Sequence, residues 1–298
     1  MVTRLISANS SEILAMDAAQ LMQSIKASEG RVVLSENIVV HQPSLPDLTN
    51  AEIAHAFGAD LILLNLVDVF SPQIHGIKDQ MNFVDELHKL VGCPIGVNLE
   101  PVDFEASMLE ERTHISQGRT ANVQTLQRLE ELGADFVCFT GNPGTGVTNS
   151  AIIDATKIAK EHFSGLIIAG KMHGAAVDEP VVNAQTVQAL VDVGADVILV
   201  PAVGTVPGFT DVELRDAVLA AHRAGALVMS AIGTSQESSQ PEVIVDIAIR
   251  NKVCGVDIQH IGDSGYGGLA PVENIFALSK AIRGQRHTVS RMARSINR

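Results

Sequence analysis

The stretch Gly194–Val203, with the sequence GADVILVPAV, joins the end of a predicted helix to an apolar, β-rich run. The same join recurs at residues 58–67 (GADLILLNLV) and 133–140 (GADFVCFT), and weaker copies begin at Gly225 and Gly255. Glycine suits the position after a helix because it adopts the left-handed backbone conformation without a Cβ clash. The repeated triplet therefore predicts the helix-to-strand joint of a repeating βαβ unit.

Apolar runs rich in β-branched residues lie between the predicted helices. They are near-continuous rather than alternating, which is typical of parallel strands covered on both faces. The eight runs are Arg31–Val39, Leu61–Val67, Pro94–Pro101, Phe136–Asn142, Leu166–His173, Val197–Val203, Leu227–Gly233 and Val256–Ile261. Eight strands alternating with helices predict a single (β/α)8 TIM barrel of the α/β class. A doubly wound open sheet is the main rival, but it normally uses fewer strands.

The two ends of the chain lie outside this repeat. Ser11–Ala27 predicts one extra N-terminal helix, which we expect to pack outside the barrel or to close its floor. The predicted organisation is an N-terminal helical extension over residues 1–30, the barrel over residues 31–284, and a basic C-terminal tail over residues 285–298. A solvated end is expected for the tail. Within the barrel, Thr49 and Thr210 each precede a glutamate by three residues, which predicts capped helix starts.

The composition bounds the function classes. The chain has 298 residues, 46% of them hydrophobic, and a formal net charge of −13, which argues against non-specific binding to nucleic acid or to an anionic membrane. Its three cysteines form no CxxC pair and suit a reducing compartment. With neither a signal-like segment nor an apolar run of membrane-spanning length, we expect a cytoplasmic protein. The sequence is compatible with self-association but contains no residue that predicts it.

Chemistry in a TIM barrel is expected where the strands end, because their carboxyl ends and the following loops line the active site. Lys171 and His173 are two apart in IIAGKMHGA, so on a strand they share a face. A lysine desolvated at the barrel mouth can act as a nucleophile, a base or an electrostatic clamp. The alternative is a lysine that only pairs with Glu100 or Asp257 to close the barrel top.

Other polar residues follow the predicted strands. Glu100, paired with Lys171, fits a general base, a metal ligand or a structural ion pair equally. The predicted catalytic residues are Lys171, His173, Glu100 and Asp257. The predicted substrate-binding residues are Glu36, Asn65, Asp68, Asn98, Asn142 and His260. Three of these have structural alternatives: Asp68 as a turn cap, Glu36 as a solvated loop carboxylate and His260 as a core histidine.

Metal ligation is weakly indicated. The sequence has no HxH, HExxH or comparable spacing, so no transition-metal site and no cofactor are predicted. Magnesium bound by Glu36, Asp68 and Glu100 is the one metal hypothesis that the carboxylates allow.

A glycine-rich loop, IGDSGYGGLAP, follows the eighth predicted strand. Barrels often bind phosphate with the loops after strands seven and eight, where backbone N–H groups approach the anion. The predicted phosphate-binding residues are Gly233, Thr234, Gly262, Ser264, Gly265, Gly267 and Gly268. Asp263 opposes this interpretation if it is ionised, and glycine-rich turns are often only turns. A second glycine-rich stretch, Thr140–Val147, lacks the Lys-Ser/Thr ending of a P-loop and predicts a flexible loop instead.

Several stretches together resemble the BtpA family of TIM barrels, within the broader phosphate-binding barrels. They are GADLILLNLVDV (58–69), GVNLEPVD (96–103), QGRTANVQTLQRLEELGAD (117–135), GKMHGA (170–175) and VGADVILVPAVGT (193–205). QGR and the K-x-H of GKMHGA are the most specific parts. The resemblance implies a barrel with a phosphate site and binding roles for Asn65, Asp68, Asn98, Lys171 and His173. The loop GDSGYGG and the pair Glu100-Pro101 depart from the family pattern, which leaves the substrate open.

Two functions of different classes follow from these residues. The first is an enzyme of isomerase, epimerase or aldolase/lyase type that acts on a small phosphorylated sugar or a related carbonyl compound. The second is a non-catalytic binding, assembly or regulatory protein on the same scaffold, because the fold alone does not separate them. Polar residues gathered at strand ends favour the enzyme, and the expected partner is a small, phosphorylated molecule.

Overall fold

Eight parallel strands close into one barrel in the order in which they occur along the chain. The computed structural model describes residues 2–298. The strands are β1 Val32–Ile38, β2 Leu61–Asn65, β3 Ile95–Leu99, β4 Phe136–Phe139, β5 Leu166–Gly170, β6 Val197–Pro201, β7 Leu227–Ile232 and β8 Ile258–Ile261. Each strand pairs with the next, and β1 pairs with β8 to close the ring. The predicted TIM barrel is confirmed, and every observed strand lies within its predicted run.

Helices connect the strands along the outside of the barrel. Over residues 2–298 they are α1 Ser10–Ile13, α2 Ala18–Lys26, α3 Asn50–Ala56, α4 Phe83–Val91, α5 Val123–Leu132, α6 Asn149–His162, α7 Ala184–Asp192, α8 Asp211–Arg223, α9 Pro241–Cys254 and α10 Val272–Met292. Thr49 and Thr210 form the predicted capping boxes, in which the threonine and a glutamate three residues later satisfy each other's backbone N–H groups. Among these helices, none is long and apolar enough to cross a membrane.

The repeated Gly-Ala-Asp triplet has two structural roles. Its glycine ends a helix in the left-handed region, with φ of +115° at Gly58 and +101° at Gly194. Its aspartate ties neighbouring strands together at their amino ends, because Oδ2 accepts a hydrogen bond from a backbone N–H of the preceding strand. The triplet supplies three such bonds: Val33 to Asp60 at 2.9 Å, Ile95 to Asp135 at 2.7 Å and Ile167 to Asp196 at 2.9 Å. Asp257, in the weaker copy that begins at Gly255, accepts a fourth from Val228 at 2.9 Å.

The alternation of side chains along the strands divides the core into two layers. One layer fills the barrel interior and includes Leu34, Leu63, Cys138 and Met229, while the other packs between strands and helices. The N-terminal segment joins the interior layer through residues such as Leu21, so it closes the barrel floor. The single helix expected over residues 11–27 is two helices, α1 and α2.

The C-terminal segment is anchored rather than wholly solvated. Arg283 and Arg291 are buried, and both contact the carboxylate of Asp60: Arg283 Nη1 lies 2.6 Å from Oδ2 and Arg291 Nε lies 2.8 Å from Oδ1. Two guanidinium groups can be buried here because the carboxylate compensates their charge. The expectation of a solvated end is therefore wrong at Arg291, which belongs to α10.

Candidate active site at the carboxyl end of the barrel

A cavity of about 200 Å³ opens at the carboxyl end of the strands, where TIM barrels carry their active sites. Its polar lining includes the predicted residues Glu36, Asn65, Asn98, Asn142, His173, Gly233, Thr234, Gly262 and Ser264. The lining also includes residues for which no site role is predicted, among them Thr140, Met172, Ser235, Glu237 and Asp263. The residue alternation explains this result, because Glu36, Asn65 and Asn98 continue the inward-facing positions of their strands.

A second groove, of about 1200 Å³, lies outside the barrel beside α5 and α6. It is lined by the segment 101–105 and by exposed positions such as Phe104 and Ile158. It is larger than the mouth cavity, but it lacks the convergence of strand-end residues. Convergent polar groups, rather than size, identify a site, so the mouth cavity is the better candidate.

Three asparagines form a hydrogen-bonded network across the mouth. Asn98 Nδ2 and Asn142 Nδ2 both donate to Asn65 Oδ1, at 3.1 and 3.0 Å. Asn65 Nδ2 in turn donates to Asp263 Oδ2 at 3.0 Å. The network fixes residues from β2, β3 and the loops after β4 and β8 relative to one another, so the lining is preorganised.

Glu36 and His260 form a buried pair beneath the cavity, with Glu36 Oε2 2.7 Å from His260 Nε2. Burial raises the pKa of Glu36 to about 8, and the carboxylates of Glu237 and Glu100 add to the effect. Burial lowers the pKa of His260 to about 4, against the attraction of Asp263 and Glu237. Both pKa shifts favour the neutral forms of the two side chains, and Glu36 also lines the cavity.

Asp263 and Glu237 reach the cavity from loops rather than from strands. Burial raises the pKa of Asp263 to about 7, and the neighbouring carboxyl groups of Glu36 and Glu237 act in the same direction, while a hydrogen bond from Asn65 works in the opposite direction. Glu237 is 2% exposed and accepts a hydrogen bond from the backbone N–H of Ser264 at 3.1 Å. The sequence predicts no site role for Glu237, because no local pattern indicates that this loop carboxylate is buried.

Lys171 does not line the cavity. Strand β5 ends at Gly170, whose φ of +151° is unfavourable for residues with a side chain, so the predicted strand through His173 is wrong. The Lys171 ammonium lies 2.6 Å from Glu179 Oε1, and Glu179 also accepts from the backbone N–H of Asn149 at the start of α6. Burial lowers the pKa of Lys171, although Glu179 opposes the shift. The structure places Lys171 in an ion pair outside the cavity lining, and its predicted catalytic role stays a prediction.

His173 does reach the cavity. Its Nδ1 accepts a hydrogen bond from the backbone N–H of Ala175 at 3.0 Å, which fixes the ring. Burial and the charge of Lys171 lower its pKa, against the attraction of Glu100. A neutral imidazole with one nitrogen already engaged is suited to polarising or orienting a substrate group.

Glu100 binds residues of the loops that follow β3 and β4. Its carboxylate accepts from Arg119 Nη2 at 2.5 Å and from the backbone N–H of Asn142 at 2.8 Å. Arg119 belongs to the motif QGR, residues 117–119. This motif therefore supplies the cationic partner of Glu100, a role that the sequence predicts for Lys171. The pairing of Glu100 with Lys171 is therefore wrong, and Glu100 acts here by holding the backbone of the loop that carries Asn142.

Asp257 and Asp68 also serve the fold. Asp257 precedes β8 and ties β7 to β8 at the amino end of the barrel, where it also contacts His222 at 2.7 Å. It lies at the opposite end from the mouth, so its predicted catalytic role is wrong. Asp68 Oδ1 accepts from the backbone N–H groups of Phe70 and Ser71 at 2.9 and 3.0 Å, which is the turn-cap alternative rather than substrate binding.

The glycine-rich loop after β8 is occupied by its own hydrogen bonds. Gly262 N–H donates to Ile232 O at 2.9 Å and Gly268 N–H donates to Gly265 O at 3.2 Å. The carbonyl of Gly268 accepts from Ile38, and that of Gly267 from Asn50, so this part of the loop packs on the segment after β1. Gly265, Gly267 and Gly268 do not line the cavity, and the predicted phosphate cradle is not assembled by them.

Unusual backbone conformations gather around the mouth. Six residues other than glycine have positive φ within residues 2–298, and five of them lie in loops that follow strands: Leu66, Ala175, Ala176, Thr234 and Ser235. Each such conformation costs on the order of 1–3 kcal/mol and persists where the surroundings impose it. At Leu66 the imposed contact is visible, because its N–H donates to Asn65 Oδ1 at 2.9 Å. This clustering is typical of functional sites.

The proposed magnesium ligands do not converge. Glu100 pairs with Arg119 and Asp68 caps its own turn, so neither joins Glu36. Over residues 2–298, no group of three or more His, Cys, Asp or Glu side chains is placed to hold a metal ion. The oxygen-rich lining is the donor type that Mg²⁺ prefers, but the carboxylates do not form a protein-only cage. We therefore derive no step through a metal.

The fold and the mouth together define a TIM barrel with a buried acid–base cluster at the end where such barrels carry their active sites. Within this class, the chain belongs to the family described as domain of unknown function DUF7916, whose model matches residues 6–298. No protein of curated function matches the sequence. The more specific resemblance to BtpA is not shown by these comparisons and stays a prediction.

Solved structures similar to this chain share its fold. A 2,3-dimethylmalate lyase, a member of the PEP mutase/isocitrate lyase superfamily, has a TM-score of 0.51 and 12% identity, covering 82% of this chain and 80% of that chain. A putative lyase/mutase from Burkholderia cenocepacia J2315 has a TM-score of 0.51 and 15% identity, covering 93% and 85%. An oxaloacetate acetylhydrolase with the inhibitor 3,3-difluorooxalacetate has a TM-score of 0.50 and 14% identity, covering 82% and 79%. At these identities the likeness shows the fold alone.

Proposed function

We propose that this protein is an acid–base enzyme of lyase or isomerase type that moves a proton next to the carbonyl group of a small substrate. One observation carries the proposal: Glu36 and Asp263 line the same cavity, and burial raises the pKa of the first to about 8 and of the second to about 7. Carboxyl groups whose pKa values lie near the working pH are suited to exchange protons with a substrate.

The two carboxyl groups suit complementary roles. Between their pKa values, Asp263 is ionised and serves as the base, while Glu36 keeps its proton and serves as the acid. Asp263 takes the proton from the carbon next to the carbonyl, and the electrons of that C–H bond move to the carbonyl, whose oxygen takes the proton of Glu36. The product is an enol. Returning the proton to a different carbon gives isomerisation. In cleavage, Asp263 instead takes the proton of a hydroxyl group on the β-carbon; that carbon becomes a carbonyl, the bond between the α- and β-carbons breaks, and its electrons form the enol, whose oxygen takes the proton of Glu36.

The surrounding residues position the substrate. The amide network of Asn65, Asn98 and Asn142 holds Asp263 in place, and His260 holds Glu36. His173 offers its free ring nitrogen to the substrate. Structures described as a 2,3-dimethylmalate lyase and an oxaloacetate acetylhydrolase have the same fold, and their reactions on small carbonyl or carboxylate compounds are consistent with this chemistry.

The proposal is tested by hydrogen exchange into substrate carbon. The protein is incubated in D₂O with a panel of small aldehydes, ketones and hydroxycarbonyl compounds, and the loss of the C–H signal next to the carbonyl is followed by NMR. We expect exchange with at least one compound, and its loss in Glu36→Gln and in Asp263→Asn. Glu161→Gln, which removes an exposed glutamate on α6, is the control and should leave the rate unchanged.

The dependence of the exchange rate on pH gives a second readout. A base with a pKa of about 7 and an acid with a pKa of about 8 predict a bell-shaped rate with its maximum between these values. If no compound in the panel exchanges, while some bind and stabilise the protein, the non-catalytic binding function replaces the enzymatic one.

A further inference from the structure

The charge and hydrogen-bonding groups of the mouth cavity specify what kind of substrate it accepts. Its lining contains the carboxyl groups of Glu36, Glu237 and Asp263 and no lysine or arginine. Two cationic side chains on loops at this end of the barrel, Lys171 and Arg119, are each held by a glutamate of their own. A phosphate dianion entering this cavity would meet carboxyl groups without a cation to balance its charge, which is unfavourable in a poorly solvated site.

Several backbone N–H groups of the two loops already have acceptors within the protein. The N–H of Ser264 donates to Glu237, and the N–H groups of Gly262 and Gly268 are used within the loops. Anion sites in barrels depend on several free N–H groups that converge on the phosphate oxygens. Three of the N–H groups that a phosphate site would use at this position are therefore committed to other partners.

The cavity instead presents acceptors that lack a donor. Asn98 Oδ1, Thr140 Oγ1 and Glu237 Oε2 are buried without a hydrogen-bond partner, and all three residues line the cavity. Leaving such atoms unsatisfied costs free energy, so a ligand that donates to them gains affinity. A volume of about 200 Å³ corresponds to about seven water molecules at ~30 Å³ each, which is the scale of one small, compact ligand.

From these groups we infer that the substrate is an unphosphorylated, polyhydroxylated carbonyl compound, such as a free sugar. Its hydroxyl groups donate to the unpartnered oxygens, and its lack of charge avoids placing an anion among carboxyl groups that no lysine or arginine of the lining balances. This inference rests on the proposed function, since it names the substrate class for the same site. It replaces the phosphorylated substrate that the glycine-rich loop predicts from sequence.

The test compares each free sugar with its own phosphate. Binding of pentoses and hexoses, of the corresponding sugar phosphates and of inorganic phosphate is measured by isothermal titration calorimetry on the full chain. We expect at least one free sugar to bind, and its phosphate to bind at least tenfold more weakly. In Glu237→Gln, which keeps the side-chain shape but removes a carboxylate, this discrimination should shrink several-fold, whereas Glu161→Gln should leave it unchanged.

Three results overturn the inference: a phosphate that binds more tightly than its free sugar, binding of inorganic phosphate at the mouth, or no binding by any free sugar. The D₂O experiment keeps the two proposals separate. If a carbonyl compound without hydroxyl groups exchanges hydrogen for deuterium, and calorimetry detects binding of no free sugar, the proposed function is supported and this substrate class is rejected. A free sugar that binds without exchange supports this substrate class and rejects the proposed function.

Discussion

Replacing Glu36 with glutamine should make the protein more stable at alkaline pH while it removes proton transfer. Glu36 is 3% exposed, and its pKa in the folded protein is about 8 against an ordinary value of 4.5. Glutamine has nearly the same shape and can still hydrogen-bond to His260. The substitution therefore removes the titration and leaves the packing nearly unchanged.

The sign follows from the direction of the pKa shift. Because the folded pKa is raised, the stability that the protonated carboxyl contributes is fully present below about pH 4.5 and is lost as the pH rises through about 8. Each pKa unit corresponds to about 1.4 kcal/mol, so the whole loss amounts to at most ~5 kcal/mol. About 4 kcal/mol of it falls between roughly pH 5 and pH 9.

The assay is urea unfolding followed by circular dichroism at several pH values across that range. The free energy of unfolding of Glu36→Gln minus that of the wild type should increase by up to ~4 kcal/mol from the acidic to the alkaline end. Glu161→Gln should give a curve parallel to that of the wild type. If Glu36→Gln also runs parallel to the wild type, Glu36 is not a buried neutral acid, and the assignment of the proton donor fails with it.

Three further substitutions separate structural residues from the site. Asp257→Ala should lower the free energy of unfolding by ~1.5–3 kcal/mol, because Val228 loses a charge-assisted hydrogen bond at the amino end of the barrel. Ligand binding by the folded protein should be retained, and loss of binding without loss of stability would contradict this. Lys171→Met should leave Glu179 without its partner and lower the melting temperature. On the wild-type protein, treatment with borohydride and substrate should trap no covalent adduct, which mass spectrometry would detect. Gly170→Ala should be destabilised by several kcal/mol, since a Cβ there meets the carbonyl oxygen of Leu199 at 2.0 Å and φ is +151°; a wild-type unfolding curve would refute the strained conformation.

The fold was predictable because each element carries its own local signal. The glycine that ends each helix, the apolar run that follows and the capping residues at Thr49 and Thr210 all agree with the same alternation of helix and strand. Consistency among independent local signals is what makes a topology readable from sequence. The signals fail only where the chain departs from the repeat, as in the N-terminal segment that forms α1 and α2.

The site was predictable only where it belongs to the strands. Glu36, Asn65 and Asn98 occupy inward-facing positions at strand ends, so alternation alone brings them to the mouth. Lys171 was misplaced because the prediction extended β5 by three residues, past the glycine that ends it. Asp263 and Glu237 approach from different loops, and their position in the same cavity lining as Glu36 is a property of tertiary structure. The raised pKa values of Glu36 and Asp263 come first from burial and second from the neighbouring carboxyl groups, and neither cause is visible in a short stretch of sequence.

Position relative to a strand separates the carboxylates of this barrel into two functions. Asp60, Asp135 and Asp196 stand just before strands β2, β4 and β6, and each bonds the amino end of the strand before it. Asp257 stands just before β8 and does the same, so the triplet repeat itself identifies it as a fourth copy of the strand tie. Carboxylates within or after strands, such as Glu36 and Asp263, lie instead at the other end, where burial raises their pKa values. Since parallel strands all point the same way, this order along the chain is enough to assign a carboxylate to the floor or to the mouth. The floor carboxylates gain hydrogen bonds from the backbone and stabilise the barrel. At the mouth, Glu100 and Asp68 also have donors, whereas Glu36 and Asp263 remain poorly compensated, which is the condition for proton transfer.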